Sequence, residues 1–152
     1  MNISSISTRE VDTARLAETA RAAAQRMQAR NVGTLVVVDD GERVVGILTD
    51  RDLAVRVVAR GVDPNLARVA DVMTSDVQTV RSHASIEEAV GLMRERGVRR
   101  LPVVHPDATL AGLLSLDDVL THVSDQLAEV RRFLDETSPR GMARRAAPIP
   151  AG

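Results

Sequence analysis

Hydrophobic positions near the start of the chain follow the spacing of one helical face. After Thr19, apolar residues recur at intervals of three and four, which predicts an amphipathic helix with Thr19 as its N-cap. The apolar residues on this face are Ala20, Ala23, Ala24 and Met27. A short strand is predicted before this helix, from Glu10 to Ala14.

The helix is followed by two β-rich runs, TLVVV and RVVGILT, which flank the turn residues Asp39, Asp40 and Gly41. Two such runs around a short polar turn predict a pair of antiparallel strands. A second helix is predicted to begin near Asp50. The order of elements is therefore strand, helix, strand, strand, helix.

The same pattern occurs twice. Residues 5–53 align with residues 71–119 without a gap, and 14 of the 49 aligned positions are identical. The second copy has its own N-cap, Ser85, with Glu88 placed for a capping box. The strands RLPVV and TLAGLLS follow, and the last helix begins near Leu116. An α/β fold made of two equivalent units is predicted.

The repeat defines the organisation of the chain. We predict a first unit over residues 1–60, a connecting segment over 61–73, and a second unit over 74–122. A helical extension over 123–137 follows, with an apolar stripe at Val123, Leu127, Val130 and Leu134. The tail, 138–152, has three prolines, three arginines and no acidic residue, and is predicted to be disordered.

Composition removes several classes of function. A formal charge of -1 gives no general attraction to nucleic acid, and a chain with one Phe and neither Trp nor Tyr lacks aromatic platforms for bases. Cysteine is absent, and His83, His105 and His122 lack the spacing of a metal site. No arrangement of a nucleophile with a base is present. No apolar run reaches the length of a membrane-spanning helix, and a cytoplasmic, non-catalytic protein is expected.

The repeated motif Gly-x-x-Thr/Ser-x-x-Asp carries the candidate chemistry. It places Thr49 with Asp52, and Ser115 with Asp118, where a strand runs into a helix. A capping box alone accounts for either pair. The same groups also suit a nucleotide, because a helix start with a hydroxyl receives phosphate and a carboxylate accepts two ribose hydroxyls. The glycine of the motif would then leave room for a flat base.

These residues resemble a tandem pair of CBS domains. The resemblance rests on NVGTLVVVDDGERVVGILTDRDL in copy one and on DVMTSDVQTV, SIEEAVGLM, GVRRLPVV and LAGLLSLDDVL in copy two. It covers about residues 3–122 and extends to small stand-alone bacterial CBS-pair proteins of the hypoxic response type. It implies two repeats related by a pseudo-two-fold axis.

The resemblance also implies the ligand, an adenosine compound bound in clefts between the copies. AMP, ADP and ATP are the expected ligands, S-adenosylmethionine is an alternative, and no cofactor is required. Asp52 and Asp118 are expected to hold ribose, and Thr49 and Ser115 to contact phosphate or ribose. Candidates for phosphate are Arg99, Arg100 and Arg51, and candidates for backbone contact with the base are Thr13, Thr79 and Val80.

The arginines have an alternative role as solvent-facing residues at the ends of helices. The two sites are expected to differ in their affinity for the ligand, because copy one has Gly33 and Thr34 where copy two has Arg99 and Arg100. A homodimer formed through helices, signalling to an unknown protein partner, is implied by the resemblance. No nucleic-acid or membrane partner is expected. The alternative is an interaction or structural protein whose repeated motifs only cap helices.

Overall fold

The computed structural model describes residues 2–138. It divides into two compact units, residues up to 116 and residues from 117 onwards. The first unit contains both predicted sheets, and the second contains the long C-terminal helix beyond its first residue. The predicted disordered tail, apart from Ser138, lies outside the described residues.

The first unit is built from two three-stranded sheets, in the orders β1-β2-β3 and β4-β5-β6. The strands are β1 (Thr13–Arg15), β2 (Thr34–Val38), β3 (Val44–Thr49), β4 (Val80–Arg81), β5 (Arg100–Val104) and β6 (Leu110–Ser115). The helices are α1 (Ala20–Arg30), α2 (Asp50–Leu53), α3 (Val69–Val72), α4 (Ile86–Arg96) and α5 (Leu116–Thr137). A 3₁₀ helix over Ile3–Ser5 precedes β1, and a π-helix over Ala54–Val58 continues α2. The predicted α/β fold of two repeats is confirmed.

Strand pairing in the two sheets follows one scheme. The first strand runs parallel to the second, and the second runs antiparallel to the third. Val37 pairs with Gly46 in the first sheet, and Val103 pairs with Gly112 in the second, 66 residues later. Each sheet also has a shift in register at the next residue pair. The predicted repeat therefore extends to individual hydrogen-bonded pairs.

The helix ends follow from local chemistry. The Thr19 hydroxyl accepts a hydrogen bond from the Ala22 amide at 3.2 Å, and the Ser85 hydroxyl accepts one from the Glu88 amide at 3.1 Å. Both N-caps are confirmed. At the other ends, Asn31 and Gly97 adopt left-handed backbone conformations, with φ of 52° and 64°. These two residue types tolerate that conformation best, so they stop α1 and α4 at equivalent positions.

The first segment of each copy packs against the other copy. Val69, in α3, is fully buried in the hydrophobic core of copy one together with Ala67 and Val72. Its equivalent, Ile3, is also fully buried, and its amide donates to the carbonyl of Ala84 in copy two at 3.0 Å. The connecting segment therefore supplies part of the core of copy one, and the N-terminal segment packs against copy two.

The first segment of each copy also forms one isolated β-bridge with the sheet of the other copy. Thr8 pairs with Leu113 on β6, and Thr74 pairs with Ile47 on β3. Each bridge is held by two backbone hydrogen bonds of 2.9 to 3.0 Å. This crossing explains why β1 begins at Thr13 and not at Glu10 as predicted, because the residues before it lead away to the second sheet.

The glycine of the repeated motif is required by this crossing. A Cβ at Gly46 would lie 2.9 Å from the Thr74 carbonyl oxygen and 2.6 Å from the Met73 sulfur. A Cβ at Gly112 would lie 2.8 Å from the Thr8 carbonyl oxygen. The interpretation of this glycine as room for a base was wrong, since the backbone carbonyl of Thr74 or Thr8 occupies that space.

Glu18 and Arg26 form a bidentate ion pair in copy one. Both guanidinium Nη atoms of Arg26 donate to the Glu18 carboxylate at 2.8 Å, and Nη1 also donates to the Thr13 carbonyl at 2.7 Å. The Arg26 hydrogen bonds hold the pKa of Glu18 below its ordinary value of 4.5. The pair therefore joins α1 to the turn after β1 more firmly when Glu18 is ionised, and the Thr13 bond ties the same arginine to β1.

We predict that Gly46→Ala and Gly112→Ala each lower the free energy of unfolding by about 1–3 kcal/mol, because the new methyl group meets backbone that cannot move aside. Gly91→Ala is the matched control. It lies inside α4, where no atom other than neighbouring residues of its own helix comes within 4 Å of the place that the new methyl group would take. This substitution should raise the free energy of unfolding by about 0.5–1 kcal/mol. Urea denaturation measures all three. Unchanged stability in Gly46→Ala would contradict the close packing.

We predict that Glu18→Gln lowers the free energy of unfolding by about 1 kcal/mol at neutral pH, because the variant lacks the charged partner of Arg26. The folded pKa of Glu18 is depressed, so its contribution is present above 4.5 and is lost as the pH falls through the folded value. The difference between wild type and variant should shrink below pH 4.5. Glu95→Gln, at an exposed site on α4, is the control. A difference that does not vary with pH would contradict this assignment.

Candidate functional site

A cleft of about 590 Å³ lies within the first unit, where the end of β3 and the start of α2 face residues of copy two. Copy two contributes the segment that crosses to β3 and the turn between α4 and β5. The lining residues are Ile47, Thr49, Arg51, Asp52, Thr74, Asp76, Val77, Gln78, Arg96, Gly97, Val98, Arg99 and Arg100. The cleft is thus formed by both repeats, and the crossing segment makes one of its walls.

Five of the residues predicted from the sequence meet in this cleft. Thr49, Arg51 and Asp52 come from copy one, and Arg99 and Arg100 come from copy two. They come from positions about fifty residues apart in the sequence and line the same cleft. The motif and the two arginines, which the sequence presents separately, are therefore parts of one surface.

The remaining predicted residues lie elsewhere. Thr13 begins β1, where its carbonyl accepts the Arg26 bond, and Val80 is buried in β4. The Thr79 carbonyl accepts a hydrogen bond from the Gln78 side chain at 3.3 Å. Ser115 ends β6 in the first unit, and Asp118 lies in the first turn of α5 in the second unit.

Thr49 and Asp52 form a complete capping box. The Thr49 hydroxyl accepts from the Asp52 amide at 3.1 Å, and Asp52 Oδ2 accepts from the Thr49 amide at 2.9 Å. The Asp52 side chain is only 14% exposed, yet it lines the cleft. Each carboxylate oxygen has two lone pairs, so the capping bond leaves acceptor sites for a ligand. Capping and ligand binding are compatible at this residue.

Arg56 contacts the same carboxylate and was missed from the sequence. Its Nη2 lies 3.5 Å from Asp52 Oδ1, four residues earlier on the same helix. Its Nη1 donates to the Val72 carbonyl at 2.9 Å, and Nη2 donates to the Thr74 hydroxyl at 3.2 Å. The i, i+4 spacing from Asp52 was the available signal, but Val72 and Thr74 are distant in sequence.

The lining of the cleft has an excess of positive charge. Arg51, Arg96, Arg99 and Arg100 are all exposed, while Asp52 and Asp76 are the acidic residues of the lining. Arg96 is 3.8 Å from Asp76, a weak pairing in water. Guanidinium groups around a partly enclosed cleft favour an anionic ligand, and phosphate above all.

The copies differ in this charge. At the positions 66 residues from Arg51, Arg99 and Arg100, the sequence has Asp117, Gly33 and Thr34. Only Arg96 has a basic equivalent, Arg30, which pairs with Asp12 at 2.8 Å. The concentration of arginines is therefore a property of one copy of the motif and not of the repeat.

The other classes of site receive no support from the described residues. Within 2–138, no three His, Cys, Asp or Glu side chains come together in a way that could hold a metal ion. No helix in this part of the chain combines the length and apolarity needed to cross a membrane.

The chain is similar to proteins of one family. A family model described as CBS domain matches residues 3–59 and 69–125, two ranges separated by the same 66 residues as the repeat. Hypoxic response protein 1 of Mycobacterium tuberculosis is 36% identical over 108 residues, which cover 71% of this chain and 75% of that relative. An uncharacterized protein of Methanopyrus kandleri is 34% identical over 120 residues, 79% of this chain and 61% of the relative, so this chain spans less than two thirds of its length.

Solved structures agree with this grouping. The crystal structure of Hypoxic Response Protein I, which is described with two coordinated zinc ions, has a TM-score of 0.73 at 34% identity and covers 80% of this chain and 98% of its own. A CBS domain protein from Pyrobaculum aerophilum complexed with AMP has a TM-score of 0.70 at 25% identity, covering 78% of this chain and 89% of its own.

Proposed function

The chain belongs to the CBS domain family, as two domains in tandem, and from this membership we propose that it is a non-catalytic regulatory module that binds an adenine nucleotide. CBS-pair proteins are generally regulatory. The ligands we propose are AMP, ADP and ATP, with S-adenosylmethionine as the alternative. Ligand would favour one arrangement of the repeats over another, to the extent that it binds the two states with different affinity, and so change the surface offered to a protein partner.

One observation carries the proposal. A single cleft brings together a carboxylate and hydroxyl at a helix start and two arginines from the other repeat. In the proposal, Asp52 holds the ribose, Thr49 contacts ribose or phosphate, and Arg99 and Arg100 contact phosphate. Arg51 is the third cation within reach of that end of the ligand. A related protein that is 25% identical is complexed with AMP, which supports this class of ligand.

The second motif enters the proposal through sequence correspondence alone. Asp118 is proposed as a second ribose ligand and Ser115 as its hydroxyl partner, because they match Asp52 and Thr49 in the repeat. Without equivalents of Arg99 and Arg100, the second motif should bind phosphate more weakly. Thr13, Thr79 and Val80 do not line the described cleft and stay in the proposal only as candidates for backbone contact with the base.

A second candidate function is an interaction module without a nucleotide. The observation that favours it is the complete capping box, which satisfies Thr49 and Asp52 within the protein. The two candidates differ in what the purified protein contains. With no Trp and no Tyr, the protein absorbs very little in the near ultraviolet, so bound adenine would dominate the spectrum. Release by denaturation and mass spectrometry would then identify the nucleotide.

We predict that AMP or ATP binds wild type in isothermal titration calorimetry, and that Asp52→Asn weakens binding at least about tenfold because a charged acceptor is lost. Asparagine still offers an oxygen to the Thr49 amide, so the cap is retained. Asp71→Asn, at an exposed position on α3 outside the cleft, is the matched control and should bind as wild type does.

Arg99→Ala combined with Arg100→Ala should weaken ATP binding more than adenosine binding. ATP loses the guanidinium contacts to its phosphates, whereas adenosine has no phosphate. Exposed Arg94→Ala is the control for a lost surface charge. A flat titration of wild type with AMP, ATP and S-adenosylmethionine would overturn the nucleotide proposal. Tight binding that none of these variants changes would overturn only the assignment of residues.

We propose that the chain forms a homodimer through the apolar stripe of α5. The exposed Leu120 extends this stripe, which then consists of Leu120, Val123, Leu127, Val130 and Leu134. These residues alternate at spacings of three and four, the seam of a coiled coil, and are 42% to 66% exposed. A second copy presents the same seam and so matches its length and spacing.

We predict a mass of twice 16.4 kDa in sedimentation equilibrium. Leu127→Glu combined with Val130→Glu should give the monomer, because the seam would then contain charge. Ala128→Glu, exposed beside the stripe, is the control and should leave the dimer intact. A monomeric wild type would contradict the proposed interface.

A further inference from the structure

Arg56 connects three groups that belong to different parts of the cleft and its surroundings. It reaches the Asp52 carboxylate on α2, the Val72 carbonyl at the end of α3, and the Thr74 hydroxyl on the crossing segment. The Arg56 side chain is 33% exposed and does not line the cleft itself. Its planar guanidinium holds these groups from behind the surface that a ligand would contact.

The two oxygens of the Asp52 carboxylate have different partners, a hydrogen bond at Oδ2 and an ion pair of 3.5 Å at Oδ1. Oδ2 accepts from the Thr49 amide, and Oδ1 faces Arg56. A carboxylate held at one oxygen only would still rotate, whereas two holding points fix the plane of the group. Binding a pair of hydroxyls requires both oxygens in a set orientation, and a carboxylate already so oriented loses less entropy when the ligand binds.

The second group held by Arg56 is also part of the cleft wall. Thr74 lines the cleft, and its backbone is bonded to Ile47 in both directions. Arg56 therefore links Asp52 on α2 to Thr74 on the segment that crosses to β3. Loss of the guanidinium would remove the partner of Asp52 Oδ1 and the hydrogen bond to the Thr74 hydroxyl together, while the backbone bonds of Thr74 remain.

The backbone at Arg56 is also unlike that of the other copy. Arg56 lies in the middle of the π-helix, where the Ala59 amide donates to the Ala54 carbonyl at 2.9 Å. In the second copy the equivalent residue is His122, within the regular helix α5. A widened turn at a single position is frequent at functional sites, and here it coincides with the arginine and with the cationic copy of the motif.

We infer that Arg56 is a positioning residue of the nucleotide site, which orients the Asp52 carboxylate for the ribose hydroxyls and sets the preference of the cleft for ribose over deoxyribose. The inference rests on the proposed function. Arg56 acts through Asp52 and Thr74 and does not contact the ligand.

The test compares AMP with 2′-deoxy-AMP in wild type and in Arg56→Met. Wild type should bind AMP about tenfold more tightly, the effect of one hydrogen bond to a charged group. In Arg56→Met, AMP binding should weaken and the preference should fall to about twofold, because a carboxylate that rotates holds the second hydroxyl poorly. Arg56→Lys restores the charge but not the planar fork and should give an intermediate preference.

Arg26→Met is the matched control. Arg26, like Arg56, donates to a backbone carbonyl and pairs with a carboxylate, but it lies outside the cleft. Arg26→Met should lower the melting temperature by about as much as Arg56→Met does, and should leave the preference for AMP over 2′-deoxy-AMP unchanged. A loss of fold stability alone therefore does not change this preference.

The outcomes separate the two proposals. Failure of wild type to bind AMP or 2′-deoxy-AMP overturns the AMP site and the role of Arg56 with it. Binding of AMP by wild type, with an unchanged preference in Arg56→Met, overturns only the role of Arg56. An equal loss of preference in Arg26→Met also overturns it, since the effect would then follow from stability. If Arg56→Met fails to fold, a wild-type preference in Arg56→Lys contradicts the inference.

Discussion

The close approach of Thr74 to Gly46 is the contact on which the cleft depends. Two backbone hydrogen bonds join Thr74 to Ile47, and the absence of a side chain at Gly46 allows the carbonyl of Thr74 to lie against the strand. This brings the first residues of copy two beside the helix start of copy one. Without that approach, Asp52 and the arginines of copy two would belong to separate surfaces.

The helix start at Thr49 combines a structural and a chemical role. Its first turn carries Asp50 and Asp52, which suit the positive end of a helix, and the Thr49 hydroxyl completes the cap. The cap fixes the carboxylate near the surface, and the arginines supply the opposite charge across the cleft. A group that is fixed for the sake of the fold is thereby available, in a defined orientation, to a ligand.

Local patterns in the sequence predict local structure well. Thr19 and Ser85 cap their helices as expected, and Thr49 and Asp52 form a capping box at the start of α2. Hydrophobic periodicity and capping chemistry depend on near neighbours, which explains this success. The boundaries of the two predicted units stay a prediction, as do the ligand roles of the individual residues.

Long-range features cannot be predicted from these local patterns. The crossing of the first segments joins residues such as Thr8 and Leu113, which no periodic pattern connects. For that reason the glycine of the motif does not leave room for a base as predicted, β1 begins three residues later than predicted, and Arg56 is not among the predicted site residues. Each of these depends on a partner that only the tertiary fold supplies.

The burial of Ile3 and Val69, each against the opposite repeat, explains why one repeat alone would be an incomplete fold. A polypeptide with a single repeat would have an unfilled space in its core and an unpacked first segment. Two such chains could satisfy both by exchanging those segments about a two-fold axis, as domain-swapped dimers do. The present chain has the arrangement of such a pair joined end to end. In a single chain the two halves need not be identical, and here copy two has Arg99 and Arg100 where copy one has Gly33 and Thr34.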